Sequence, residues 1–120
     1  MDRAALSQAL DVAAQLVRDV NVEKGWRKAE PSFGRGRSFG EDVALLHSEV
    51  SEMLEAYREW GCLDPTEDGG KPEGIGSEMA DVLIRLLDMA FEYQVNLGEE
   101  FWRKVDFNAT RSFRHGGKLL

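Results

Sequence analysis

The stretch 45–60, LLHSEVSEMLEAYREW, and the stretch 76–91, GSEMADVLIRLLDMAF, decide the fold class of this 120-residue chain. In the first, Leu46, Val50, Met53, Leu54 and Tyr57 recur at helical spacing. It reads as an amphipathic helix over 41–60 that stops at Gly61. In the second, Met79, Val82, Leu83, Leu86, Leu87 and Ala90 form one stripe, widened by Ala80, Ile84 and Phe91. A helix over 75–95 is predicted, apolar around most of its girth and therefore covered on several sides. A four-helix monomer of this length cannot supply that cover, so the pattern predicts a homodimer or homotetramer.

Outward from these segments the chain stays helical. Ala5, Leu6, Leu10, Val12, Ala13, Leu16 and Val17 predict a first helix over 3–22. Asn96 as N-cap, with Glu99 three residues on, predicts a last helix running to about 112. Between the first two helices, residues 23–40 hold Gly25, Pro31, Gly34, Gly36 and Gly40 and read as a long loop. Loops of this length in a small domain are functional or mobile. A second loop is expected over 63–74, and a tail over 113–120. No run alternates with strand period. The expectation is one all-α domain over 1–120, a four-helix-bundle type that self-associates.

Charge is unevenly spread. The chain is net −7, yet residues 41–100 carry sixteen acidic and three basic side chains, while 23–40 and 101–120 are both net basic. A net-acidic chain is a poor binder of polymeric nucleic acid, whose affinity comes from phosphate neutralisation. Basic arms around an acidic centre suit a small ligand bearing phosphates and metal. No stretch has the length of a membrane span, and the N-terminal run is broken by Asp11 and Gln15, unlike a signal peptide. Cys62 is the single cysteine. A reduced, cytoplasmic protein is expected.

Two carboxylate pairs stand on the two central helices, Glu49 with Glu52 and Glu78 with Asp81. Residues three apart share a helix face. Side by side, the helices would bring four anions together, which requires protons, basic partners or a divalent cation. Oxygen ligands without imidazole or thiolate suit Mg²⁺, with Mn²⁺ as substitute. Acidic pairs are also ordinary on solvated faces, and Glu52–Glu55 is another instance. The placement beside the apolar stripes is what singles these two out. A di-iron bundle is excluded, because neither His47 nor His115 follows a glutamate by three residues. Arg85 is expected to pair with Asp81 or Asp88. Lys104, Asn108 and Arg111 fall on one face of the last helix, and Arg111 and Lys118 with Gly116 and Gly117 could cradle phosphate. Trp26 and Trp60 are candidates for stacking on a base.

With these residues in place, the chain resembles the all-alpha nucleoside triphosphate pyrophosphohydrolases of the MazG-like superfamily. The pattern E-x-x-E, a spacer, then E-x-x-D stands here as Glu49–Glu52, twenty-five residues, then Glu78–Asp81. The lysine, asparagine and arginine of that family's last helix are matched by Lys104, Asn108 and Arg111, and the ending HGGK resembles a bacterial and phage subgroup. The likeness covers roughly 40–118. It implies Mg²⁺-dependent cleavage of nucleoside triphosphates between the α and β phosphates, giving monophosphate and pyrophosphate. Glu49, Glu52, Glu78 and Asp81 would hold the metal and act in catalysis, and Lys104 and Arg111 would meet the pyrophosphate. The other readings are a non-catalytic nucleotide- or metal-binding regulatory module and a helical oligomer with a structural ion site.

Overall fold

The computed structural model describes residues 2–63, 65 and 70–120. Four long helices are followed by a single helical turn at Arg114–Gly117, and each long helix but one begins where a side chain caps it. Asp2 accepts from the Ala5 amide to start α1, Arg3–Glu23. Ser38 and Glu41 form a reciprocal capping box that starts α2, Phe39–Trp60, two residues earlier than its apolar pattern predicts. Asn96 accepts from the Glu99 amide at 3.0 Å and starts α4, Leu97–Thr110. Each such cap stabilises its helix by about 1 kcal/mol. The exception is α3, Ile75–Glu92, which opens on Gly74 at positive φ without a side-chain cap. It ends three residues short of the expected 95 because Gln94 turns left-handed and the Val95 amide bonds back to Ala90. Of the expected 63–74 loop, residues 64 and 66–69 lie outside the described residues.

Helix α3 is central. It packs against α2 on one side and α1 on the other, while α4 packs on α1. The α1–α3 pair is antiparallel, with Arg18 meeting Glu92 and Asn21 meeting Asp88. The α1–α4 pair is antiparallel too. Gly98 lies so close to Ser7 that an added Cβ would stand 2.7 Å from it, and Arg3 holds Asp106 through two 2.8 Å hydrogen bonds. The helices therefore follow one another in space as α2, α3, α1, α4.

This row is open. Its radius of gyration is 17.0 Å, against about 14 Å for a compact chain of this length. Its accessible surface is 8836 Å², against roughly 6500 Å² for a monomer of this mass. Among the described residues only Ala56, Leu87 and Ala90 are fully buried apolar side chains. Val12, Leu16 and Val20 form an exposed stripe on α1, and Met79, Leu83, Ile84 and Leu86 leave much of the α3 girth uncovered within one chain. Charged side chains are buried as deeply as any apolar one: Arg18, Asp42, Asp88 and Glu92. No helix among the described residues is long and apolar enough to cross a membrane.

Candidate metal and nucleotide site

Packing of α2 on α3 brings the carboxylate pairs face to face. Glu49, Glu52 and Glu78 each offer an oxygen, and these oxygens lie within 4.8 Å of one another. Oxygens bound to one divalent cation at 2.0–2.6 Å stand up to about 4–5 Å apart, so the three fit around a single ion with small side-chain adjustment. Asp81 stands outside this tightest set but close enough for its charge to act on Glu52 and Glu78. One Glu78 oxygen, Oε2, is shut off from solvent with no hydrogen-bond partner among the described residues. An orphaned anionic oxygen in an acidic cluster is what a cation would satisfy.

The cluster is electrostatically uneasy. A hydrogen bond shared with Glu49, and then the repulsion of that neighbour, raise the Glu52 carboxyl above its ordinary value. Burial, and then Asp81, Glu52 and Glu49, raise Glu78. Lys71 opposes both shifts without cancelling them. Arg85 pairs with neither Asp81 nor Asp88, the expected partners. Its guanidinium donates across the helix interface to Glu49 Oε1 at 3.2 and 3.3 Å. The helix crossing places Glu49 opposite Arg85, whereas Asp88 is taken by arginines from elsewhere.

Glu49 and Asp81 share a cleft of about 450 Å³ with Trp26, Asn21, Arg37 and Arg85. That volume lies in the usual range for small-molecule sites. Trp26 is 71% exposed on the cleft wall, with its ring free to stack on a planar ligand. Trp60 is elsewhere: it is half-buried at the end of α2, about 12 Å along the helix from Glu52.

Behind the cleft lies a charge network that the sequence reading does not contain. Arg27 bridges Asp42 at 2.9 Å and Asp88 at 2.7 Å, and Arg37 meets Asp42 at 2.6 Å. Arg18 meets Glu92 at 3.0 Å and donates to the carbonyls of Lys28 and Glu30. Glu92 also accepts from the amides of Ser32 and Gly34. Burial alone would raise Asp42, but hydrogen bonds from Tyr93, Arg37 and Arg27 outweigh it and hold the group below its ordinary value. Burial opposes ionisation of Glu92 in the same way and is outweighed by the Ser32 and Gly34 amides and by Arg18. Tyr93, desolvated and donating to Asp42 at 2.7 Å, is pushed up to about 12. The glycine-rich loop is thus pinned at its base, and the pinning fixes where Trp26 and Arg37 stand. A sequence signal existed: Arg18 interrupts the apolar stripe of α1, and Asp88 and Glu92 sit one turn apart on the α3 face that carries Asp81.

The expected phosphate-binding residues are placed apart from the carboxylates. Lys104 and Asn108 lie toward the far end of α4, beside the N-terminus of α1, and Arg111 stands just past the helix on extended backbone, because α4 stops at Thr110 rather than at 112, whereas the cleft is reached at Asn21. Arg3 and Asn21 are separated by about 27 Å of helix at 1.5 Å per residue. Among the described residues no hydrogen bond or ion pair joins Lys104, Asn108, Arg111 or Lys118 to any of the four carboxylates. Lys104 and Arg111 instead flank the ring of Phe107. The amides of Gly116 and Gly117 both donate to the Phe113 carbonyl at 3.2 Å, so they are engaged within their own turn.

No family model matches the chain, and no solved structure matches it. Part of the chain is similar to an uncharacterized protein of Chlamydia muridarum (strain MoPn / Nigg), 40% identical over 42 residues. That match takes in 35% of this chain and 7% of the chlamydial protein.

Proposed function

We propose that this chain is a Mg²⁺-dependent nucleoside triphosphate pyrophosphohydrolase of the MazG-like kind. It cleaves between the α and β phosphates to give monophosphate and pyrophosphate, with deoxyribonucleotides favoured. The observation that carries this reading is the meeting of Glu49, Glu52 and Glu78 oxygens within 4.8 Å, with Glu49 also lining a cleft that presents Asp81 and Trp26. Glu49, Glu52, Glu78 and Asp81 hold the ion. A divalent cation bound there neutralises phosphate charge and acidifies water. Arg85 fixes the Glu49 carboxylate by its paired donation. Glu49 or Glu52, adjoining in the same cluster, is placed to orient a water and take its proton. Trp26 stacks on the base, and Asn21 offers an amide at the same wall. Self-association belongs to this reading as well. The exposed apolar faces of α1 and α3, and a surface roughly 2300 Å² above that of a compact monomer, match what a homodimer or homotetramer buries per chain.

A nucleotide panel with Mg²⁺, Mn²⁺ or chelator, products resolved by chromatography, tests it. Monophosphate plus pyrophosphate, lost with chelator and rising with pH, is expected. Orthophosphate release would assign another phosphohydrolase chemistry. Binding without turnover across the panel would assign a regulatory nucleotide-binding module.

A further inference from the structure

The loop between α1 and α2 walls a second cavity, of about 480 Å³, that none of the four carboxylates of the metal cluster lines. Trp26 and Arg37 line it and the carboxylate cleft alike, so the two spaces meet at these side chains. The buried network beneath is neutral as a unit, three arginines against Asp42, Asp88 and Glu92. Lys28 and Arg35, which also line the cavity, stand outside that network. Both are exposed, and neither side chain makes an ion pair or hydrogen bond among the described residues. Arg37 adds a side chain that is 24% exposed although its Nε is committed to Asp42. Against these cations the cavity sets one acid outside the network, Glu30.

The backbone adds donors. No hydrogen bond among the described residues uses the Gly36 or Arg37 amide, and a Cβ built on Gly36 would meet nothing within 4 Å. Open backbone N–H groups beside guanidinium forks match the oxygens of a phosphate group. The walls are also fixed in advance. Arg18 holds the Lys28 and Glu30 carbonyls, and Glu92 holds the Ser32 and Gly34 amides, so a ligand has little of the loop left to order.

We infer that this loop cavity is a phosphate-binding site that needs no metal, with Lys28, Arg35 and Arg37 taking a phosphate or pyrophosphate group of a small molecule. The site owes nothing to the four clustered carboxylates, so it stands or falls apart from the pyrophosphohydrolase reading. Two sources carry that chemistry. One is the distal phosphates of a nucleotide whose metal-bound end lies in the carboxylate cleft. The other is a separate phosphorylated compound.

Calorimetric titration of the full chain with inorganic pyrophosphate in metal-free buffer, at low and high salt, tests the site. One pyrophosphate per chain, bound more weakly as salt rises, is expected. Lys28→Ala/Arg35→Ala removes two exposed side chains and keeps the Lys28 carbonyl for Arg18. It should weaken binding about tenfold or more, with helical content and urea midpoint unchanged. Lys104→Ala/Arg111→Ala, on the other basic face, should bind as the wild type does. No binding to the wild type, undiminished binding to the loop variant, or loss in the α4 variant instead would each overturn the site. A second titration, with Mg²⁺ and α,β-methylene analogues of the deoxynucleoside triphosphates, separates the sources. Weaker analogue binding by the loop variant assigns the cavity to the distal phosphates of the same nucleotide. Equal binding by variant and wild type assigns it to a separate phosphorylated compound. No analogue bound by either, with pyrophosphate still held in the loop, also assigns it to a separate compound; that result would sink the nucleotide reading of the cleft and leave the loop site standing.

Discussion

Along α3, Asp88 and Glu92 are buried against arginines, while Glu78 and Asp81, two turns and more toward the N-terminus, face the carboxylates of α2. The first cluster is balanced: Arg18, Arg27 and Arg37 against Asp42, Asp88 and Glu92, with Tyr93 and loop amides taking remaining lone pairs. The second holds four acids against Arg85 and the more distant Lys71. Balanced burial stores no binding capacity, because every charge is already answered. Unbalanced clustering costs stability and is relieved only by a proton or a cation. The same helix thus carries a structural half and, on the proposed reading, a reactive half.

The largest effect expected from this contrast is on the structural half. Arg18→Met leaves Glu92 buried without its closest guanidinium and strands the Lys28 and Glu30 carbonyls, and should cost about 3–5 kcal/mol of unfolding free energy. Urea titration measures it. A loss no larger than that of an average surface substitution would mean that the network is incidental to the fold. In the reactive half, Asp81→Asn or Glu49→Gln should lower turnover by about 10²- to 10³-fold, the scale of removing one charge-stabilising group, with unfolding little changed. Wild-type turnover in either variant would remove that residue from the site.

Mg²⁺ should separate the halves next. At a hundred times its Kd it stabilises the wild type by about 2.7 kcal/mol. The gain should survive Arg37→Lys, at the balanced cluster, and shrink in Glu52→Gln. An equal gain in the Glu52 variant would place the ion elsewhere.

The smallest effect, and the sharpest in sign, is with pH in chelator. Glu52 and Glu78 titrate above their unfolded values, so the folded state holds their protons more tightly. Their penalty is present above the raised folded values and is relieved as pH falls through them. Asp42 and Glu92 titrate below their unfolded values. Their contribution is present above the ordinary carboxylate range and is lost as pH falls through the lowered folded values. Metal-free stability should therefore peak at weakly acid pH. Glu52→Gln should flatten the alkaline side of that peak and leave the acid side alone. Flattening of the acid side instead would reverse the assignment of the two clusters.

The sequence by itself determined the four helices and the pairing of carboxylates on α2 and α3. Capping at Ser38 and Asn96, apolar recurrence and three-residue spacing act within a turn or two, where backbone geometry fixes the outcome. Only the tertiary structure decided what those carboxylates face. Arg85 finds Glu49 across 36 positions, and Arg18 finds Glu92 across 74, distances over which no local propensity speaks. It also decided that Lys104, Asn108 and Arg111 lie a helix length from the acids they were expected to join. Their order along the chain is set by sequence, but their position is set by the antiparallel return of α4 along α1, where Gly98 admits Ser7 and Arg3 captures Asp106.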